Sequence, residues 1–128
     1  MPALSSFDYA ILRVVPRVER EECINAGVLL FCLERDFLAA RVEVNEARLR
    51  ALWPGTDAEL VRQHLEAIPR ICAGSRDAGP IAKLSLRERF HWLVAPRSTM
   101  IQVSPVHSGM CEAPEKALDD LFRRAVLR

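Results

Sequence analysis

The amino-acid sequence predicts an α+β fold, an antiparallel sheet of three to four strands with about four helices packed on it, layer on layer, with residues 1–128 forming one domain. Three observations carry that expectation. Phe7–Val15 and Gly27–Leu33 are dense in aliphatic and aromatic residues, as buried strands are. The connection between them is too short to hold a crossover helix, which makes the pair antiparallel. Further on, Ser/Thr-x-x-Glu boxes open stripes of apolar residues at helical spacing.

In Phe7–Val15 both alternating sets are apolar, Phe7, Tyr9, Ile11 and Val15 on one side and Ala10, Leu12 and Val14 on the other, so both faces are expected to be covered. Arg13 shares the face of Tyr9 and Ile11 and is the one charge in the run. Pro16 ends the pairing. The charged stretch Arg17–Glu22 reads as a loop or single helical turn and leads into Gly27–Leu33, whose unbroken apolar run suits a central strand.

Glu34-Arg35-Asp36 makes a tight break before Phe37–Val44, where Leu38, Ala40, Val42 and Val44 face one way and Arg41 and Glu43 the other. That pattern is a half-exposed hairpin partner. Asn45 can cap a short helix that Pro54-Gly55 terminates, and Thr56 with Glu59 predicts a capping box for a second helix. Leu60, Val61, His64, Leu65 and Ile68 form its stripe, which assigns His64 to packing. Pro69 is expected to kink or end this helix, because it lacks the N–H that bonds the carbonyl four residues back.

Ala73–Pro80 is a loop, and Ser85 with Glu88 predicts a capping box for a short helix over Leu86–Leu93 that turns Phe90 and Leu93 inward. Thr99–Val103 reads as a fourth strand, and Ser104–Cys111, with Pro105, His107 and Gly109, as an irregular loop. Pro114 suits the first turn of a closing helix, with acids early, arginines late, and a stripe of Leu118, Leu121, Phe122, Ala125 and Val126.

Charged residues make up 27% of the chain for a net charge of +1, which argues against a general nucleic-acid binder. The longest apolar run, Ala26–Leu33, is far below the roughly 20 residues of a membrane helix, and Met1–Asp8 lacks a signal-peptide pattern. Cys23, Cys32, Cys72 and Cys111 show no metal-ligand or C-x-x-C spacing, so reduced thiols, a cytoplasmic location, and no metal or cofactor are expected. Lys83 and Lys116 are the only lysines beside many arginines. Codon bias explains that preference as well as a need for bidentate anion forks does.

No phosphate-binding loop, dinucleotide fingerprint, nucleophile elbow or H-E-x-x-H motif is present. The candidate site residues are polar groups where a plain core would not place them: Arg13, Glu22, Asn25, Arg97, Ser98 and His107. Arg13 needs a carboxylate or several carbonyls if buried, and Glu22 is its natural partner, either as a structural pair or as the mount of an anion-binding arginine. Asn25 and Gly27 suit a local turn or bulge, or a ligand contact. Arg89-Phe90-His91-Trp92-Leu93 interleaves polar and aromatic residues, and Pro96-Arg97-Ser98-Thr99 supplies a fork donor and two hydroxyls that can hold phosphate or carboxylate. Set against that is a plain assignment of Phe90 and Trp92 to the core and Arg97 to the surface. His107 is the histidine best placed to carry a proton.

The combination Tyr9-x-x-x-Arg13-x-x-Pro16, Glu22-x-x-Asn25-x-Gly27-Val28, Arg89-Phe90-x-Trp92-Leu93-x-x-Pro96-Arg97-Ser98 and Ser104-Pro105-x-His107-x-Gly109 resembles the bacterial domain-of-unknown-function family 3037 over nearly the whole chain. The resemblance implies a small bacterial protein, with a HipA-like serine/threonine kinase as a possible partner, and supplies no activity. Two functions remain open. One is a module that binds a protein or a small anion. The other is an enzyme acting on a phosphorylated or nucleotide substrate, with Arg13 and Arg97 as clamps, His107 as general acid or base and Glu22 orienting an arginine or activating water. That enzyme needs all four groups in one cleft.

Overall fold

The computed structural model describes residues 3–97 and 99–127. Its chain order is β1 (Ser5–Val14), β2 (Ile24–Cys32), β3 (Phe37–Val42), α1 (Glu46–Leu52), α2 (Ala58–Ala73), α3 (Leu86–Val94), β4 (Ile101–Val103), β5 (His107–Cys111) and α4 (Pro114–Ala125), with 3-10 turns at Val18–Arg20 and Pro80–Lys83. The fold is α+β as the sequence predicts. Its antiparallel sheet has five strands, one more than the upper expectation.

The extra strand is β5. Ser104-Pro105 does turn the chain, but the irregular loop expected through Cys111 is limited to that corner. Beyond it the backbone runs extended, because the first half of β1 offers unpaired N–H and C=O groups along one edge. Ser5–Tyr9 pair with Cys111–His107, and Leu12–Val14 pair with Val103–Ile101, so β4 and β5 share that edge end to end. The order is β3-β2-β1, then this divided edge.

Ser104 fills the break between the two short strands. Its N–H donates to the Ile11 carbonyl at 2.9 Å, and its Oγ accepts from the Ile11 N–H at 2.8 Å while donating to the Pro105 carbonyl. Ile11 thereby keeps both backbone bonds on the edge where neither β4 nor β5 pairs with it. Ser104 is 4% exposed, so Ser104→Ala is expected to leave a shielded donor unsatisfied and to cost about 1–3 kcal/mol in urea unfolding. Ser108→Ala, which removes an exposed bond to Asp8, is the control and should lie well below it.

Alternation along β2 places its apolar run on two cores. Leu29 and Phe31 join Leu12, Ile68, Cys72, Phe90 and Leu93 under α2 and α3. Val28, Leu30 and Cys32 join Phe7, Leu118 and Phe122 under α4. Both faces of the sheet are thus covered, which explains why β1 and β2 lack a polar side. The same holds for β3. Its outer face, expected to meet solvent, puts Phe37 and Ala39 beneath α4, while Arg41 pairs with Asp119 at 2.7 Å and lies 4.4 Å from the Phe122 ring centroid.

At the β1–β2 pair, Leu12 opposes Gly27 and Arg13 opposes Asn25, leaving Ala26 as the additional residue of a bulge. Gly27 is required by close approach. A Cβ there would stand 2.7 Å from the Arg41 carbonyl oxygen and 2.9 Å from Val42 Cγ1.

Helix starts follow their caps with one correction. Asn45 accepts from Arg48 N–H, and Ser85 forms a reciprocal box with Glu88, as expected. The cap of α2 is Asp57, which accepts from Leu60 N–H, whereas Thr56 donates its hydroxyl to the Trp53 carbonyl at 2.8 Å and closes the preceding turn. Asp is at least as strong a cap as Thr, and one position is enough. Pro69 does not end α2, which runs on to Ala73. Ile71 and Cys72 in the last turn are buried, and Gly74 closes the helix in the left-handed conformation at φ 71°.

Candidate functional site

The proposed Arg13–Glu22 pair does not form. Glu22 binds Arg20, two residues back on the exposed connection, a shorter reach than one over the sheet. Arg13 is half-buried on the α4 side of β1, between Leu12 and Val14, which face the other layer. Among the described residues no carboxylate pairs with it.

Asn25, opposite Arg13, is exposed and is engaged over a long range rather than in a local turn. Its Nδ2 donates to the Ala125 carbonyl at 3.1 Å and so ties the last turn of α4 to the sheet. His107 begins β5 rather than sitting on a loop, and its ring lies 5.4 Å from that of its cross-strand neighbour Tyr9. Tyr9 and Arg13 are four residues apart on one strand, so His107 and Arg13 stand about 13 Å apart along the same face. Ser98 lies outside the described residues.

Arg97 is on the opposite side of the molecule's sheet, with α2 and α3. The geometry brings Arg13 beside Asn25 and leaves Glu22, His107 and Arg97 in separate places. The single cleft that the enzyme reading requires is not assembled from these groups.

Other signature residues have structural duties. Arg89 donates to the carbonyls of Cys72 at 2.7 Å, Ile71 at 3.2 Å and Leu84 at 2.9 Å, capping α2 with a charge that suits its C-terminus. Gly109 lies flat on Phe7, where a Cβ would come within 2.7 Å of the ring. Burial pushes the Cys72 thiol up to about 12, against a smaller opposing pull from Arg89. Burial, with Cys32 close by, also raises Cys111. Both thiols stay protonated at neutral pH, which removes them as nucleophiles. Among the described residues no three His, Cys, Asp or Glu side chains gather as a metal-ligand set.

Among the described residues, the one predicted site residue that enters an apolar cavity is Arg97. A pocket of about 270 Å³ opens between α2, α3 and the segment leading into β4, with Ile68, Ile71, Leu93 and Ile101 in its walls and His64, Arg97 and Thr99 as its polar groups. Arg97 Nη2 donates to the Trp92 carbonyl at 2.6 Å, and the guanidinium lies 4.2 Å from the Trp92 ring centroid. Bond and stack together hold its plane.

Trp92 is 40% exposed, so it forms a wall rather than core. His64 is also exposed and lines the pocket instead of packing. Helical spacing does not reveal the place of His64, because the stripe of α2 is wider than the strip that the core covers. A second cavity, of about 350 Å³, lies where β5 meets α4, around Phe7, Cys111, Lys116 and Arg124. None of the predicted site residues that are described lines it.

Comparison with curated proteins and with solved structures finds no match for this sequence. The family model described as Protein of unknown function (DUF3037) matches residues 9–126, and the chain belongs to that family.

Proposed function

We propose that the chain is a bacterial, cytoplasmic accessory module that binds a small anion in the α2–α3 pocket. The observation that supports this reading is a guanidinium held by stacking and a carbonyl bond at the lip of a mostly apolar cavity. Concave, mostly apolar sites with a few placed polar groups are the usual form of small-ligand sites. The four free cysteines, three of them buried, agree with a reducing compartment. No helix among the described residues is long and apolar enough to cross a membrane.

The test is a thermal-shift titration with benzoate and with inorganic phosphate, on the native chain and on Arg97→Ala. A ligand at about 100 times its Kd should stabilise the native chain by about 2.7 kcal/mol, and the variant should lose the shift. No shift with either anion, or an equal shift in the variant, would overturn the proposal.

A protein partner is a second reading, favoured by the divided sheet edge. His107–Cys111 carries no lysine, proline or acidic residue to guard its free backbone, and Leu4, Val106 and Met110 beside it are 44–60% exposed. A HipA-like kinase is the partner to try. Co-purification that survives Arg97→Ala but fails with Met110→Lys would support this surface, and absence of a complex between the two purified proteins would remove it.

A further inference from the structure

We infer that the ligand of the α2–α3 pocket is a small monocarboxylate with a flat or short aliphatic apolar body, an inference that rests on the anion-binding reading above. The side chains of Ile68, Ile71, Leu93 and Ile101 offer no hydrogen bond. A polar group brought against them would lose its water without replacement. The inner part of the ligand is therefore apolar, and a cavity of about 270 Å³ limits it to a small molecule.

The polar end is set by the charge in the lining and by the geometry of the Arg97 fork, since the other described donors there, the His64 imidazole and the Trp92 indole, each stand alone. One Nη2 hydrogen of Arg97 is spent on the Trp92 carbonyl, which leaves one two-donor edge of the fork. Thr99 gives its hydroxyl hydrogen to the Ile101 carbonyl at 2.9 Å, so it has none for an anion. A two-donor edge matches the two oxygens of a carboxylate. A phosphate brings three terminal oxygens and up to two charges, whereas among the described residues of this lining Arg97 is the one permanent cation. Trp92, which carries the guanidinium on its ring, adds aromatic surface to the lining beside the apolar body of the ligand.

The experiment uses ¹⁵N-labelled full chain titrated with phenylacetate, phenylacetamide and phenyl phosphate, following the Trp92 indole N–H and the amides of α2 and α3. Phenylacetate should shift these resonances with a Kd at least tenfold below that of phenylacetamide, and Arg97→Lys, which keeps the charge but not the fork, should weaken it about fivefold or more. Tighter binding of phenyl phosphate at the same resonances would overturn the carboxylate inference and leave an anion site standing. Equal binding of phenylacetamide would overturn both, as would the absence of any shift at the pocket with all three compounds.

Discussion

Replacing Phe122 with alanine should cost about 3–5 kcal/mol, the range for truncating a buried aromatic side chain. Such a loss is a large part of the roughly 5–15 kcal/mol that holds a domain folded. Phe122 is 3% exposed and stands at the middle of the core beneath α4, among Val28, Leu30 and Leu118. Among the described residues only α4 roofs this face over β2 and β3, so no second helix stands ready to settle into the space. Arg41 lies over the ring's other side and keeps its bond to Asp119 only while the helix stays in place. Urea unfolding followed by circular dichroism measures the effect, with half-buried Leu121→Ala as a milder comparison. A loss below about 1 kcal/mol would show that α4 is not anchored through this ring.

Alkaline pH should expose the second large effect. In the folded chain burial holds the Cys72 thiol up to about 12, whereas the unfolded chain ionises it near 9.0. Below pH 9 both states keep the proton and this group adds no pH dependence. Above it the unfolded state gives up the proton first and is favoured, so the contribution is lost as pH rises from 9 through 12. Three units correspond to about 4 kcal/mol. The informative quantity is the difference between the native chain and Cys72→Ala, in which everything the two chains share cancels. The variant starts less stable, because it leaves a cavity, but should fall less steeply between pH 9 and 12. Parallel curves would show that the thiol gains water or a partner when ionised.

The sequence announces what is encoded locally. β1 and β2 are legible because both alternating sets are apolar, and α1 and α3 because Asn45 and the Ser85–Glu88 pair have no competing cap beside them. At α2, Thr56 and Asp57 are adjacent candidates, and only the bond from Thr56 to the Trp53 carbonyl decides between them. β5 escapes notice because an edge strand owes its place to backbone bonds. His107, Ser108 and Gly109 carry little apolar pattern, and the glycine is there to admit Phe7.

The candidate site divides in the same way. Arg97 stands out as a fork donor beside aromatic residues, but its pocket neighbours His64 and Ile68 are distant in sequence and meet it only through packing. Arg13 is placed on the correct face by parity, whereas its pairing with Glu22 assumed a return of the chain that the shorter link to Arg20 forestalls. Asn25 has the opposite history. Nothing local distinguishes a turn-forming asparagine from one that reaches a helix end a hundred residues later.

The Ser104–Ile11 junction has an entropic consequence. It joins residues 93 apart in sequence, while the β1–β2 hairpin closes over only the nine residues from Val15 to Cys23. Closure cost grows as the logarithm of loop length, so the long connection carries only about 2 kcal/mol more than the short one. The intervening segments, α2 and α3 among them, add their own packing as they close it. Doubling a connection costs about 0.6 kcal/mol. The loop between α2 and α3 can therefore lengthen by several residues at little thermodynamic cost, provided Arg89 still reaches the end of α2.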